Sequence, residues 1–127
     1  MDKVTVLAVE DDALIQMELE AALDGAGYEA ILETNGEAAL LRLEDLGIHA
    51  LITDINLLGE MTGWELARRA RATFPDLPVV YVTSVAAEEW SSEGVPKSIL
   101  IQKPFAPDQI STAVSQLLNE GKAPATE

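Results

Sequence analysis

A chain of 127 residues can bury one proper core and is too short for two domains of ordinary size. With 48% hydrophobic and 24% charged residues it reads as a globular protein, no apolar run nears the roughly 20 residues that cross a bilayer, and zero Cys excludes disulfides and thiolate chemistry. The formal net charge of −14, from 22 acidic against 8 basic residues, repels nucleic acid and anionic membrane and favours cations or basic protein surfaces as partners.

Met1 to Lys3 lead into an apolar run without a cleavable signal pattern, so the expected location is the cytoplasm. That run, Val4 to Val9 (VTVLAV), is almost continuously apolar and β-branched, as strands buried on both faces are. The runs Ala50–Thr53, Val79–Thr83 and Ile99–Ile101 share the character, and Glu29–Glu33 is a weaker fifth. Between them lie helical spacings: Ile15, Leu19 and Ala22; Ala39 and Leu43; Ala67, Ala70 and Phe74; and last Ile110, Ala113, Val114 and Leu117. Asp12 and Asn35 read as helix starts, Pro107 with Asp108 opens the last helix, Gly25 and Gly27 end the first, and Pro75 stops the third. A β-α unit repeated five times, with right-handed crossovers, makes a doubly wound α/β protein with a parallel sheet. One domain is expected over residues 1–120, with 121–127 (GKAPATE) as a flexible tail too poor in apolar residues to pack.

Chemistry in such a sheet sits beyond the carboxyl ends of the strands. Glu10, Asp11 and Asp12 follow the first strand, Asp54 the third, Thr83 and Ser84 end the fourth, and Lys103 follows the fifth. Crowded carboxylates repel; a pair about 4 Å apart at an effective dielectric of about 20 costs on the order of 4 kcal/mol. A hard divalent cation such as magnesium suits an all-oxygen ligand set, and Lys103 can pair with Asp54 and then with a phosphoryl oxygen. A carboxylate so flanked is poised as a nucleophile toward phosphorus, and the product is an aspartyl phosphate.

Four separated motifs, VLAVEDD at 6–12, LITDINL at 51–57, VVYVTS at 79–84 and QKPF at 102–105, together resemble a response-regulator receiver domain of two-component signalling, from about Lys3 to Leu118. The resemblance implies a flavodoxin-like (βα)5 fold with strand order 2-1-3-4-5. It implies Asp54 as phosphoacceptor, Glu10 and Asp11 as the acidic pair at the metal, and the backbone carbonyl of Asn56 completing the shell around Mg2+ or Mn2+. Thr83 matches the hydroxyl that turns toward the phosphoryl group, and Lys103 the ammonium, followed by a Pro whose peptide bond is usually cis. The implied donor is a phosphohistidine on a sensor histidine kinase or a histidine phosphotransfer protein. With only a short tail after Leu118, output is expected through protein contacts on the fourth helix, fifth strand and fifth helix, or by phosphorelay, with neither nucleic acid nor membrane as partner.

The chain departs from the family pattern in three places. Leu100 stands three residues before the Lys, where Tyr or Phe usually serves as an in-and-out switch. The fourth helix, roughly Ala86–Glu93, is expected to be short or irregular. The loop Leu57–Gly63 is one residue longer than the commonest form and lacks its Pro, and Gly59 and Gly63 are expected to make it flexible.

Taken singly, each residue has a plainer reading. Asp11 and Asp12 fit helix caps, Asp54 a turn, Lys103 a solvated charge, and Thr83 a hydroxyl bonded to backbone. Lone His49 reads as structural or surface, Trp64 and Trp90 as partial core with Trp90 the first candidate for a partner contact, and Arg68, Arg69 and Arg71 as a solvated helix face. Two rival functions remain. A haloacid-dehalogenase-type phosphatase uses a second Asp two residues after its nucleophile, where this chain has Asn56. A degenerate receiver would bind partners whatever its phosphorylation state.

Overall fold

The apolar runs form strands because their β-branched side chains pack well on a pleated surface that is covered on both sides. A computed structural model describes residues 3–45, 47–84 and 87–121. The strands are β1 Thr5–Val9, β2 Glu29–Glu33, β3 Ala50–Asp54, β4 Val79–Thr83 and β5 Ser98–Gln102, all parallel and ordered β2-β1-β3-β4-β5. The helices are α1 Ala13–Gly25, α2 Gly36–Asp45, α3 Gly63–Thr73, α4 Trp90–Glu93 and α5 Pro107–Gly121. No helix among the described residues is long and apolar enough to cross a membrane.

Strand periodicity divides the interior into two layers. Leu7, Val9, Leu51, Val79 and Tyr81 face α2 and α3, whereas Val6, Ala8, Ile52, Val80 and Val82 face α1 and α5. The central strands β1, β3 and β4 are buried almost throughout, and the edges β2 and β5 only in part. The helix starts fall where the polar residues direct. Asp12 Oδ1 accepts from the Leu14 and Ile15 N–H groups at 2.9 and 3.2 Å, and Asn35 Oδ1 from Ala38 N–H at 2.8 Å. Helix α1 ends at Gly25, and Gly27 takes a left-handed φ of 88°.

His49 is exposed and also structural: Thr5 N–H donates to its Nδ1 at 2.9 Å and Thr5 O accepts its backbone N–H at 2.8 Å, extending the β1–β3 pairing. Trp64 is core and lies against Tyr81 with ring centroids 4.7 Å apart. The fourth helical region is short and irregular, a 3-10 turn at Ala87–Glu89 followed by α4, while Val85 and Ala86 lie outside the described residues.

Four expectations change. Phe74 is exposed at the end of α3, whose buried face is completed by Trp64 and Leu66 instead. Arg71 does not belong to a solvated face: its guanidinium donates to the carbonyls of Leu77 (2.6 Å), Pro96 (2.7 Å) and Lys97 (3.2 Å), tying α3 to the segments that precede β4 and β5. The loop Leu57–Gly63 is pinned, since Met61 is buried and Leu58 bridges to Asn35; only Gly59 takes a left-handed φ, 92°. Gly121 is the last residue of α5, and the rest of the expected tail, 122–127, lies outside the described residues.

Candidate functional site

Parallel strands put all their carboxyl ends on one edge, so residues distant in sequence meet there. One carboxylate oxygen from each of Glu10, Asp11 and Asp54 lies within 4.8 Å of the other two, the one such group among the described residues. Lys103 follows β5, two strands away from β3, and its length closes that gap. Its N–H donates to Thr83 O at 2.8 Å, and its Nζ reaches Asp54 Oδ2 at 3.1 Å and Glu10 Oε1 at 2.9 Å. The Lys103–Pro104 peptide bond is cis.

Asp54 is buried at the end of β3. Its Oδ1 accepts from Ile55 N–H at 2.7 Å and, more weakly, from Asn56 N–H at 3.4 Å, which fixes the plane of the carboxylate. Thr83 is fully buried at the end of β4, and Asn56 is exposed. The structure thus brings Glu10, Asp11, Asp54 and Lys103 into direct proximity and sets Thr83 and Asn56 beside them through backbone contacts.

Glu10 is only 1% exposed. Burial pushes its carboxyl up to about 7; contact with Lys103 opposes the shift, and the charge of Asp54 adds to it. Its Oε1 is close enough to Lys103 for an ion pair yet accepts no hydrogen bond of good geometry. Burial by itself would lower the ammonium of Lys103, but its close contacts with the Glu10 and Asp54 carboxylates and their charges outweigh it and hold the group above its ordinary value. Three carboxylates against one ammonium leave the pocket with excess negative charge. A buried carboxylate oxygen that lacks a well-aligned donor, in an all-oxygen set, fits a hard divalent cation.

Two contacts at this site escape a reading of the sequence. Gly63, the first residue of α3, packs on the acceptor strand: a Cβ there would lie 2.0 Å from Asp54 O, and its N–H donates to Ile55 O at 2.8 Å. Gln16 reaches back from α1 and donates to Glu10 O at 2.8 Å. The only signal for it is its place one helical turn after the cap Asp12.

The family model for the response regulator receiver domain matches residues 6–115. The chain belongs to this family. The receiver protein CpdR of Brucella abortus (strain 2308) is 34% identical over 115 residues, 89% of this chain and 95% of CpdR. The phyllosphere-induced regulator PhyR of Methylorubrum extorquens is 31% identical over 115 residues, and there the chain spans only 43% of the relative's length. The crystal structure of a response regulator receiver protein from Sinorhizobium medicae WSM419 superposes with a TM-score of 0.91 at 40% identity, covering 94% of this chain and 98% of that one. The protein is therefore a receiver with the flavodoxin-like fold, from a family of signalling modules and not of dedicated enzymes. With membership in this family the dehalogenase reading loses its support.

Proposed function

We propose that this receiver takes a phosphoryl group onto Asp54 from a phosphohistidine and passes the signal, or the group itself, to another protein. The observation that carries this reading is the Asp54 carboxylate, held by Ile55 N–H on one oxygen and by Lys103 on the other, beside two further carboxylates. Glu10, Asp11 and Asp54, with the Asn56 carbonyl, would hold Mg2+ or Mn2+. When bound, that ion supplies charge neutralisation for the phosphoryl oxygens.

In the transfer, an Asp54 oxygen forms the new O–P bond as the P–N bond of the donor breaks, and the released imidazole takes a proton from solvent. Lys103 Nζ, already at Asp54 and Glu10, moves to a phosphoryl oxygen, since phosphoryl transfer depends chiefly on positioning and charge. The Thr83 hydroxyl, one strand over, turns toward the same group. The donor is a sensor histidine kinase or histidine phosphotransfer protein in the cytoplasm, and the readout runs through α4, β5 and α5, with half-exposed Trp90 as a contact.

One observation favours the degenerate-receiver alternative. Leu100 faces Tyr81 in the β4–β5 register, and the Tyr81 hydroxyl accepts from Val95 N–H at 3.1 Å, so an aromatic is fixed in the core and none is free to swing at position 100. Intact mass after incubation with acetyl phosphate and Mg2+ decides between the two. Gain of one phosphoryl group in wild type but not in Asp54→Asn supports phosphoacceptor function; no gain, where another receiver reacts, supports the degenerate module.

A further inference from the structure

Glu10 and Asp11 are consecutive, alike in charge and driven apart by repulsion, yet both must face one ion. The angle between them is set by the peptide that joins them, whose oxygen is Glu10 O. The β1–β2 pairing ends at Val9 and Glu33, and beyond it Glu10 N–H still donates to Glu33 O at 2.9 Å. The next carbonyl, that of Glu10, is past the ladder and takes its hydrogen bond from Gln16 Nε2 at 2.8 Å. The same amide nitrogen lies 3.4 Å from Glu33 O, so its two hydrogens are directed to two carbonyls at the mouth of the sheet. On the opposite side of the turn, Asp12 N–H donates to Glu10 Oε2 at 3.2 Å while Asp12 caps α1.

We propose that Gln16 is a positioning residue for the cation: it locks the Glu10–Asp11 peptide from α1, so that the two carboxylates converge instead of splaying. This rests on the reading that these carboxylates hold the ion. Both hydrogen bonds of the Gln16 amide nitrogen go to backbone carbonyls, so it acts through the backbone. Its amide nitrogen carries two hydrogens, one for each carbonyl.

The test is calorimetric titration of Mg2+ into the unphosphorylated protein, as wild type, Gln16→Met and Ala22→Gly. Met matches the length of Gln without its donors. Ala22→Gly loosens α1 in the α1–α5 layer, away from the rim. Residues that orient metal ligands typically contribute 10–100-fold in affinity, and about tenfold weaker Mg2+ binding is expected in Gln16→Met. Ala22→Gly should bind as wild type does. Equal Mg2+ affinity in wild type and Gln16→Met overturns the proposal, as does an equal loss in Ala22→Gly, which would reduce Gln16 to a support of the helix. Failure of wild type itself to bind Mg2+ removes the underlying cation reading instead.

Discussion

Glu10 shows how function is bought with stability at a single residue. An isolated carboxyl of this type titrates at 4.5, but burial pushes this one up to about 7. Below about pH 4.5 both folded and unfolded chains hold the proton. Between 4.5 and 7 the unfolded chain has released it while the fold keeps it, so this group's contribution to stability shrinks as pH rises and is gone above the folded value. At pH 8 the metal-free protein therefore carries an ionised carboxylate in a site that disfavours it. Glu10→Gln should make the metal-free protein about 1–3 kcal/mol more stable than wild type at pH 8 and give little gain at pH 5, by the conversion of about 1.4 kcal/mol per pKa unit. Urea unfolding at the two pH values in the presence of a chelator measures this. Equal effects at both would mean that the ionised carboxylate carries no such cost.

At the scale of elements, α3 meets the acceptor strand more closely than the chain packs at any other described glycine. Gly63 starts the helix directly on the Asp54–Ile55 backbone, and a methyl there has no flexible side chain to displace, only the carbonyl of Asp54 and the Cα of Ile55. Gly63→Ala should cost about 3 kcal/mol, as overpacking against backbone does, and should also slow phosphorylation because relief requires the acceptor peptide to move. Thermal unfolding and the acetyl phosphate rate check the pair; a destabilised protein that reacts at the wild-type rate would uncouple the joint from the chemistry. In sequence, Gly63 in a loop resembles a source of freedom, because a close approach between backbones leaves no local mark. Arg71 misleads in the same manner: three arginines within four residues read as a charged face, and only the folded segments at Leu77 and at Pro96 and Lys97 supply the carbonyls that recruit one of them. By contrast the strands, the caps Asp12 and Asn35 and the α5 stripe were legible, because each depends on local periodicity or a hydrogen bond within three residues. The rim was legible for a related reason: a parallel sheet gathers strand ends wherever its helices pack, so Glu10, Asp11, Asp54 and Lys103 could be placed together before any distance was known. What Gln16 does could not be read, since its partner carbonyl is defined only once β1 and β2 pair.

Over the whole molecule, a formal charge of −14 gives two separate reasons for cations to stabilise the fold, and they can be distinguished. Diffuse repulsion among exposed carboxylates weakens with ionic strength, because the Debye length shrinks to about 10 Å at 0.1 M salt, and any salt will do this. The pocket at Glu10, Asp11 and Asp54 is local and partly sealed by Lys103, so it should respond to a small divalent cation at constant ionic strength. Raising NaCl from low concentration should therefore stabilise wild type and Asp11→Asn alike. Adding Mg2+ at fixed ionic strength should stabilise wild type by about 2.7 kcal/mol at one hundred times its dissociation constant, and Asp11→Asn by far less. The substitution removes one of 22 acidic groups and leaves the overall field nearly unchanged, so a lost Mg2+ response with a retained salt response assigns the ion to the pocket. If both proteins gain equally from Mg2+, the ion acts on the surface at large, and the rim carboxylates must then be balanced chiefly by Lys103.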